Sequence, residues 1–402
     1  MKIKVLHVLN RLIIGGPSII ALNIINNLPE NYEVILVVGG KDEREESGQH
    51  MVGSEKLNII QIPKMKRSLN IFHDISSYFT LRKIIKEFRP DIVHTHASKS
   101  GAIGRLAAYS CKVPVILHTF HGHVFHSYFN KIVTKFFLII ERFLAKKSTK
   151  IIAISKSQRE DLVDKYKIST QEKIVIIPNG IDHEIFSNHQ ESKRKKWRSQ
   201  LNVLDDKTLL VGIVGRMAPI KNHKMFIHVI AELISRNKCD RVKFVIVGDG
   251  ETRNEIQNLS TQLNIEFNYL PDNKDILNSK LIFTSWQTQM DEVYAGLDIL
   301  CLTSLNEGVP ISLLEAQASQ KPIVSTNVGG VHDTVLENDS AFLTKTDDII
   351  DFADKLEILI NDSKKREEMG MKGFAFVKEN YGKEMLSNKT LHLYNELVLL
   401  NK

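Results

Sequence analysis

Short apolar runs alternate with helix-period segments along almost the whole chain, and they do so in two series. In the first, Ile3–Leu9, Val34–Val38, Leu57–Ile62, Ile92–His94, Val115–Thr119, Lys150–Ile154 and Ile174–Ile177 read as strands. Ser18–Leu28, Ile71–Phe88, Lys99–Ser110 and Asn130–Lys147 lie between several of them as helices. Runs this short and this apolar suit strands covered on both faces, and helices between them force parallel crossovers. Pro178-Asn179-Gly180 is a turn signal, and His183 to Gln200 is then polar and strongly basic. We read that stretch as a linker and the opening helix of a second domain. The alternation resumes with strands at Leu209–Val214, Lys243–Val247, Glu266–Leu270, Leu281–Thr284, Asp298–Thr303, Pro322–Ser325 and Ala341–Thr344. Helices are expected over His223–Arg236, Glu251–Leu263 and Gln287–Ala295, and the chain ends mainly helical, through Lys383–Leu400. At 402 residues the chain exceeds one ordinary core. Two doubly wound α/β domains of Rossmann type are therefore expected, bounded at 1–185 and 186–382, with ligands at the carboxyl ends of the strands.

Composition removes several classes. Cys111, Cys239 and Cys301 are scattered and odd in number, with no C-x-x-C pair. Neither a zinc site nor a disulfide framework is supported, and a reducing cytoplasm fits. Met1–Asn10 goes straight into a strand pattern, and His7, Asn10 and Arg11 interrupt it, so it does not read as a secretory signal. No window reaches the roughly 18 apolar residues of a spanning helix. The net charge of +7 permits anionic partners without choosing among them.

The densest chemistry lies in Asn306-Glu307-Gly308-Val309-Pro310-Ile311-Ser312-Leu313-Leu314-Glu315. Two carboxylates straddle a Gly-x-Pro turn where a buried strand gives way to a helix. Pro310 suits the first helical turn, and the N–H groups of Val309, Ile311 and Ser312 would then form an anion seat. An exposed Glu307 and an ordinary first-turn Glu315 explain the same pattern equally well. Gly15-Gly16 after the first strand allows close phosphate approach, yet it is not Gly-x-Gly-x-x-Gly and no ribose acid follows, which counts against a dinucleotide. Asp91-Ile-Val-His94-Thr-His96 and His118-Thr-Phe-His121-Gly-His123 cluster histidines at two strand ends. A metal is the lesser reading, a neutral or protonated imidazole donating to phosphate or sugar the better one. Gly215-Arg216…Lys221-Asn222 places a guanidinium fork and an ammonium on one strand-end loop. Gly248 permits close ligand approach, with Asp249 and Glu251 expected to cap the next helix, and Gly329-Gly330 reads as a similar turn. In Asn130–Lys147 a basic stripe (Lys131, Lys135, Arg142, Lys146) flanks a broad apolar face. That suits an anionic membrane surface, and equally a helix that covers the sheet.

Taken together, Glu307…Glu315, Gly215-Arg216…Lys221, Gly15-Gly16 and Ile177-Pro-Asn-Gly-Ile-Asp182 resemble the retaining glycosyltransferases of family 4. His121-Gly-His-Val-Phe and Phe283-Thr-Ser-Trp-Gln are similar to bacterial members that build capsule, O-antigen or exopolysaccharide. The resemblance implies the GT-B fold, with two Rossmann-like domains facing across a cleft and helix 383–402 returning to the first. It implies a nucleotide-sugar donor, most often a UDP-sugar, and a polyprenyl-linked or oligosaccharide acceptor, without metal, other cofactor or nucleic acid. By that resemblance Arg216 and Lys221 hold the diphosphate, Glu315 the ribose, Glu307 the transferred sugar, and His121 the sugar or phosphate. Gly15, Gly16, Gly215, Gly248, Val309, Pro310, Ile311 and Ser312 line the donor site. Localisation would be cytoplasmic, peripheral on the inner membrane face. Asn222, Ser285 and Gln320 stand where relatives commonly have glycine, and Pro17-Ser18 where they have a small residue and an acid. A UDP-sugar 2-epimerase of the same architecture and a non-catalytic sugar-nucleotide binder remain the alternatives. Loops Lys41–Glu55 and Gly122–Asn130 are expected to set specificity.

Overall fold

A computed structural model describes residues 2–13, 15–41, 46–52, 57–66, 68, 70–122, 131–272 and 279–401, without the side chain of Lys131. His123 and Asn130, and most of the two expected specificity loops, lie outside the described residues. The chain divides into two compact units, Met1–Gly180 with Lys383–Lys402, and Ile181–Gly382. The division falls a few residues before the expected 185/186. Ile181 pairs with Gly382, and its N–H donates to Tyr381 O at 2.9 Å, which ties this stretch to the second unit.

The first unit is built on strands β1 (Ile3–Leu9), β2 (Tyr32–Gly39), β3 (Asn58–Ile62), β4 (Ile92–His96), β5 (Val115–Phe120), β6 (Lys150–Ala153) and β7 (Ile174–Ile176). Their order is β3-β2-β1-β4-β5-β6-β7, all parallel. The order runs one way from β1 to β3 and the other way from β4 onward. Right-handed crossovers then put helix Gly16–Asn26 on one face and helices Ile71–Phe88, Ser98–Ser110 and Lys131–Lys147 on the other. The cores follow the strand alternation: Leu6, Val8, Val93 and Ile116 meet Leu81, Ile85 and Ile103, while Leu9, Leu36 and Val38 meet Leu22 and Ile25. Helix Lys383–Leu400 packs beside Gly16–Asn26, and Tyr32 donates its hydroxyl to Asn395 at 2.7 Å.

Helix Ser98–Ser110 sits very close to the sheet. A Cβ at Gly101 would lie 2.4 Å from the His118 ring, and one at Gly104 2.6 Å from Thr95 Cγ2. The same helix carries the fully buried Arg105, whose guanidinium meets Glu141 of helix Lys131–Lys147 at 2.7 Å and the Gly101 carbonyl at 2.9 Å.

In the second unit, strands β8 (Leu209–Val214), β9 (Val242–Val247), β10 (Phe267–Tyr269), β11 (Leu281–Phe283), β12 (Ile299–Leu302), β13 (Ile323–Thr326) and β14 (Ala341–Thr344) form another parallel sheet, ordered β10-β11-β9-β8-β12-β13-β14. The stretch after Gly180 bears out the expected opening helix and is largely helical, with little of it a linker. It forms helix Gln190–Gln200, in which Lys193 pairs with Asp291, Arg194 and Arg198 with Asp298, and Lys196 with Glu292. Trp197 is buried there against Gly296, where a Cβ would come within 2.3 Å of the indole.

Removing one partner of a buried ion pair strands the other charge, at a cost of about 3 kcal/mol or more. Arg105→Met is therefore expected to destabilise the protein by about that much, and the double variant Arg105→Met/Glu141→Leu to recover most of it. Urea unfolding of the two variants checks this.

Candidate active site

The site residues of the second unit stand on four strand-end loops that touch through their backbones. After β8, Gly215 has φ +153°, and after β9 Gly248 has φ +127°. A Cβ on Gly248 would fall 2.2 Å from the Gly215 carbonyl oxygen, and one on Gly250 2.4 Å from that of Met217. Gly329, at φ +52°, presses in the same way on the Glu307 carbonyl, at 2.0 Å. Only glycine permits these approaches. Asp249 does not cap the following helix as expected. Its Oδ1 accepts from Gly250 N at 2.7 Å, and its Oδ2 accepts from Arg253 (2.6 Å), Ser285 (3.1 Å) and Tyr269 (3.2 Å), which binds the loops together.

The loop after β12 is joined to the turn Pro219–Lys221. Leu305 N donates to Ile220 O at 2.8 Å, and Thr303 Oγ1 donates to the carbonyls of Lys221 and Asn222. This registry brings Lys221 and Glu307 together: Nζ donates to Oε1 at 2.6 Å, and Ser304 Oγ reaches the same oxygen at 2.6 Å. Sequence spacing treated the two charges as independent, whereas the folded chain makes them an ion pair, and it supplies in Ser304 a partner that sequence reading missed. Arg216 is half-buried on the neighbouring β8 loop.

Pro310 is not inside the helix. It takes the N-cap position with ψ 115°, and the helix runs Ile311–Ala318. Its carbonyl accepts from Leu313 N at 3.1 Å. The donors facing outward begin with Ile311 and Ser312, and Ser312 Oγ is a buried hydroxyl without a partner among the described residues. Glu315 lies one turn in, 8% exposed. Burial pushes its carboxyl up to about 7, and the Tyr294 hydroxyl beside it, not aligned as a full hydrogen bond, offsets only part of that.

His121, Gly15 and Gly16 belong to the first unit. Gly15 is the N-cap of helix Gly16–Asn26, and a Cβ there would meet nothing within 4 Å. The first turn of that helix offers few free N–H groups. Pro17 has none, and Ser18 N donates to Gly15 O at 3.1 Å. His121 follows β5, half-buried, with its Nε2 3.0 Å from His96 Nδ1. His94 and His96 share the sheet face that also carries His7. Between them and helix Ser98–Ser110, Ala97 has φ 63° and ψ 166°, a conformation that strongly favours glycine, so backbone strain sits next to His96.

Asn222, Ser285 and Gln320 all have left-handed backbones, at φ 48°, 61° and 57°. Gln320 is exposed and follows the helix that ends at Ala318. Gln320→Gly is expected to raise stability by about 0.5–1 kcal/mol in thermal unfolding. Glu315 gives a pH signature. Its folded pKa lies above its unfolded value near 4.5, so the folded state holds the extra proton. The penalty is absent below the unfolded value, grows as pH rises toward 7, and is complete above that. Glu315→Gln, which lacks the penalty, is expected to gain about 3 kcal/mol on wild type between pH 4.5 and pH 8, measured by urea unfolding.

Comparison with known proteins gives this geometry its setting. The family profile described as Glycosyltransferase Family 4 matches residues 14–185, and that described as Glycosyl transferases group 1 matches residues 193–375. The chain is similar to the UDP-Gal:alpha-D-GlcNAc-diphosphoundecaprenol alpha-1,3-galactosyltransferase of Escherichia coli, at 30% identity over 90% of this chain and 89% of that protein. It is also similar to the capsular polysaccharide biosynthesis glycosyltransferase CapM of Staphylococcus aureus, at 25% identity over 84% and 85%. Anabaena HepE, solved in complex with UDP and glucose, shares the fold with a TM-score of 0.79, 17% identity and coverage of 98% and 100%. With two Rossmann-like units matching GT-B structures and both family profiles in sequence along it, the chain belongs to the family 4 glycosyltransferases.

Proposed function

We propose that this glycosyltransferase moves a sugar, with retention at the anomeric carbon, from a UDP-sugar to a lipid-diphosphate-linked glycan during assembly of a bacterial surface polysaccharide. The observation that carries the reading is the convergence, on adjoining strand-end loops, of Arg216, the Lys221–Glu307 pair and the buried Glu315. The acceptor class follows the activity of the Escherichia coli relative. In this reading Arg216 and Lys221 bind the diphosphate and stabilise the charge on the leaving nucleotide, where fixed cations act most strongly. The first-turn N–H groups of Ile311 and Ser312 add to that seat. Lys221 holds Glu307 oriented, and Glu307 binds hydroxyls of the transferred sugar. Glu315 accepts the ribose hydroxyls as a carboxylate, so nucleotide binding must ionise it. Open space around Gly15 leaves room for phosphate, and in this reading no resident metal takes part.

The test is incubation with UDP-sugars and a polyprenyl-diphosphate glycan, followed by NMR of the product anomer. Arg216→Ala and Glu307→Gln are expected to lower kcat/KM by about a hundred-fold or more while leaving the fold intact. Full activity in both folded variants would overturn the site. An epimerised UDP-sugar formed without acceptor, or tight binding without turnover, would replace transfer by isomerisation or sensing. UDP affinity is expected to weaken as pH falls below 7, with the dependence reduced in Glu315→Gln, as calorimetry would show.

The acceptor's lipid suggests a membrane-facing surface. No helix among the described residues is long and apolar enough to cross a membrane. Helix Lys131–Lys147 nevertheless exposes Ile132, Phe136, Ile139 and Phe143 beside Lys135 and Lys146. In the same helical layer, Ile71–Phe88 exposes Phe72 and Phe79, which the sequence reading passed over. Apolar side chains flanked by lysines fit an anionic bilayer surface. Flotation with anionic vesicles is expected, weakened by salt and by Phe136→Asp, and absence of binding at low salt would refute it.

A further inference from the structure

Among buried groups not used above, the first unit holds a connected set. His94 Nε2 lies 2.7 Å from Thr119 Oγ1, and His94 Nδ1 lies 2.6 Å from the Tyr394 hydroxyl. Tyr394 is 3.3 Å from His7 Nε2, His7 Nδ1 is 3.1 Å from His96 Nε2, and His96 Nδ1 is 3.0 Å from His121 Nε2. The register of the sheet produces this: His7 is paired with His94 across β1–β4, and His96 with Thr119 across β4–β5. Tyr394 arrives from helix Lys383–Leu400. Thr119, His94, Tyr394, His7 and His96 are all buried, and His121 is half-buried at the open end.

We propose that these groups form a one-way hydrogen-bond relay, Thr119 to His94 to Tyr394 to His7 to His96 to His121, that holds His121 as its Nδ1–H tautomer. His121 then meets the sugar nucleotide as a hydrogen-bond donor. Each neutral imidazole has one N–H, so the distances allow two directions. With protons passed toward His121, every buried donor has an acceptor, and the single spare N–H is His121 Nδ1, which has no partner among the described residues. With the direction reversed, His94 Nε2–H donates to Thr119, and the Thr119 hydroxyl, itself buried, is left without an acceptor. An unmet buried donor costs about 1–3 kcal/mol, more than the preference of a hydroxyl for the 2.6 Å over the 3.3 Å contact at Tyr394. The forward direction wins. Burial keeps the rings neutral, as the argument requires: His7 is pushed down to about 3, His121 to about 4, and His94 and His96 well below the ordinary histidine value. Successive donation also polarises the chain and strengthens its last donor. His94, His7, His96 and Tyr394 are thus positioning residues, and only His121 would touch substrate.

The functional half rests on the proposed glycosyl transfer and on the role at sugar or phosphate that the family resemblance gives His121, whereas the relay can be tested without substrate. Long-range 1H–15N spectra of the resting protein are expected to show His7, His96 and His121 as Nδ1–H tautomers, against the Nε2–H form that free histidine prefers. An Nε2–H tautomer at any of the three overturns the relay. So does a metal ion held among His7, His94 and His96, each of which has one ring nitrogen within 4.8 Å of those of the other two. His96→Leu removes the last link and is expected to lose the fixed tautomer at His121 and to lower kcat/KM at least about ten-fold. His96→Gln, whose amide can accept from His7 and donate to His121, is expected to keep both. A His96→Leu protein that loses the tautomer and keeps full activity refutes the catalytic use of the relay. Spectra as expected in a protein without transfer activity would leave the relay standing and refute only the glycosyl-transfer reading.

Discussion

A parallel strand that is buried on both faces can present chemistry only where it ends. Its side chains are committed to helices on either side, and its backbone to neighbouring strands. Both seven-stranded sheets among the described residues are parallel, and their central strands β4, β5, β12 and β13 are buried throughout. Arg216 follows β8, Asp249 follows β9, Glu307 follows β12, and His96 and His121 end β4 and follow β5. In each unit the candidate residues belong to carboxyl edges, and the rest of that unit serves to hold its edges in register.

Register does more than stack strands. In the second unit it sets loop against loop so closely that carbonyl oxygens occupy the places where side chains of Gly248, Gly250 and Gly329 would be. Backbones locked this tightly fix Lys221 against Glu307 without a long side-chain network. In the first unit, register lines up His7, His94 and His96, and a strained Ala97 marks where β4 leaves the sheet. Polar groups buried in this way need hydrogen-bond partners, and here rings and hydroxyls supply them to one another.

Burial has a second consequence at Glu315. A carboxyl pushed to about 7 is poorly matched to an empty site and better matched to one filled by hydroxyl donors. The residue weakens the free protein above neutral pH, and a polyol ligand would relieve it. With Glu315 in its proposed role at the ribose, function and stability would be in tension at that position.

The fourteen strands among the described residues were legible in the chain because apolar runs of strand length, separated by helix-period segments, have few other solutions. Helices Ile71–Phe88 and Lys383–Leu400 even began and ended where their patterns did. The strand-end charges could be picked out for the same reason: they interrupt apolar runs at the point where parallel strands open to ligand. The sequence could not show that Lys221 and Glu307 pair, that Asp249 clamps loops where a helix cap was expected, or that the opening helix docks Lys193–Arg198 through ion pairs to Asp291, Glu292 and Asp298. Each of these depends on residues far apart in the chain and close in space. Tyr394 is the clearest case. Nothing about a tyrosine in the last helix signals a partner at position 7 or 94, and only the packing of helix Lys383–Leu400 on the first unit brings it there. The local pattern of apolar and polar residues therefore determined the elements and the edges. The tertiary structure decided which polar groups meet, because hydrogen bonds and ion pairs form only at distances of about 3–4 Å that no one-dimensional spacing can specify.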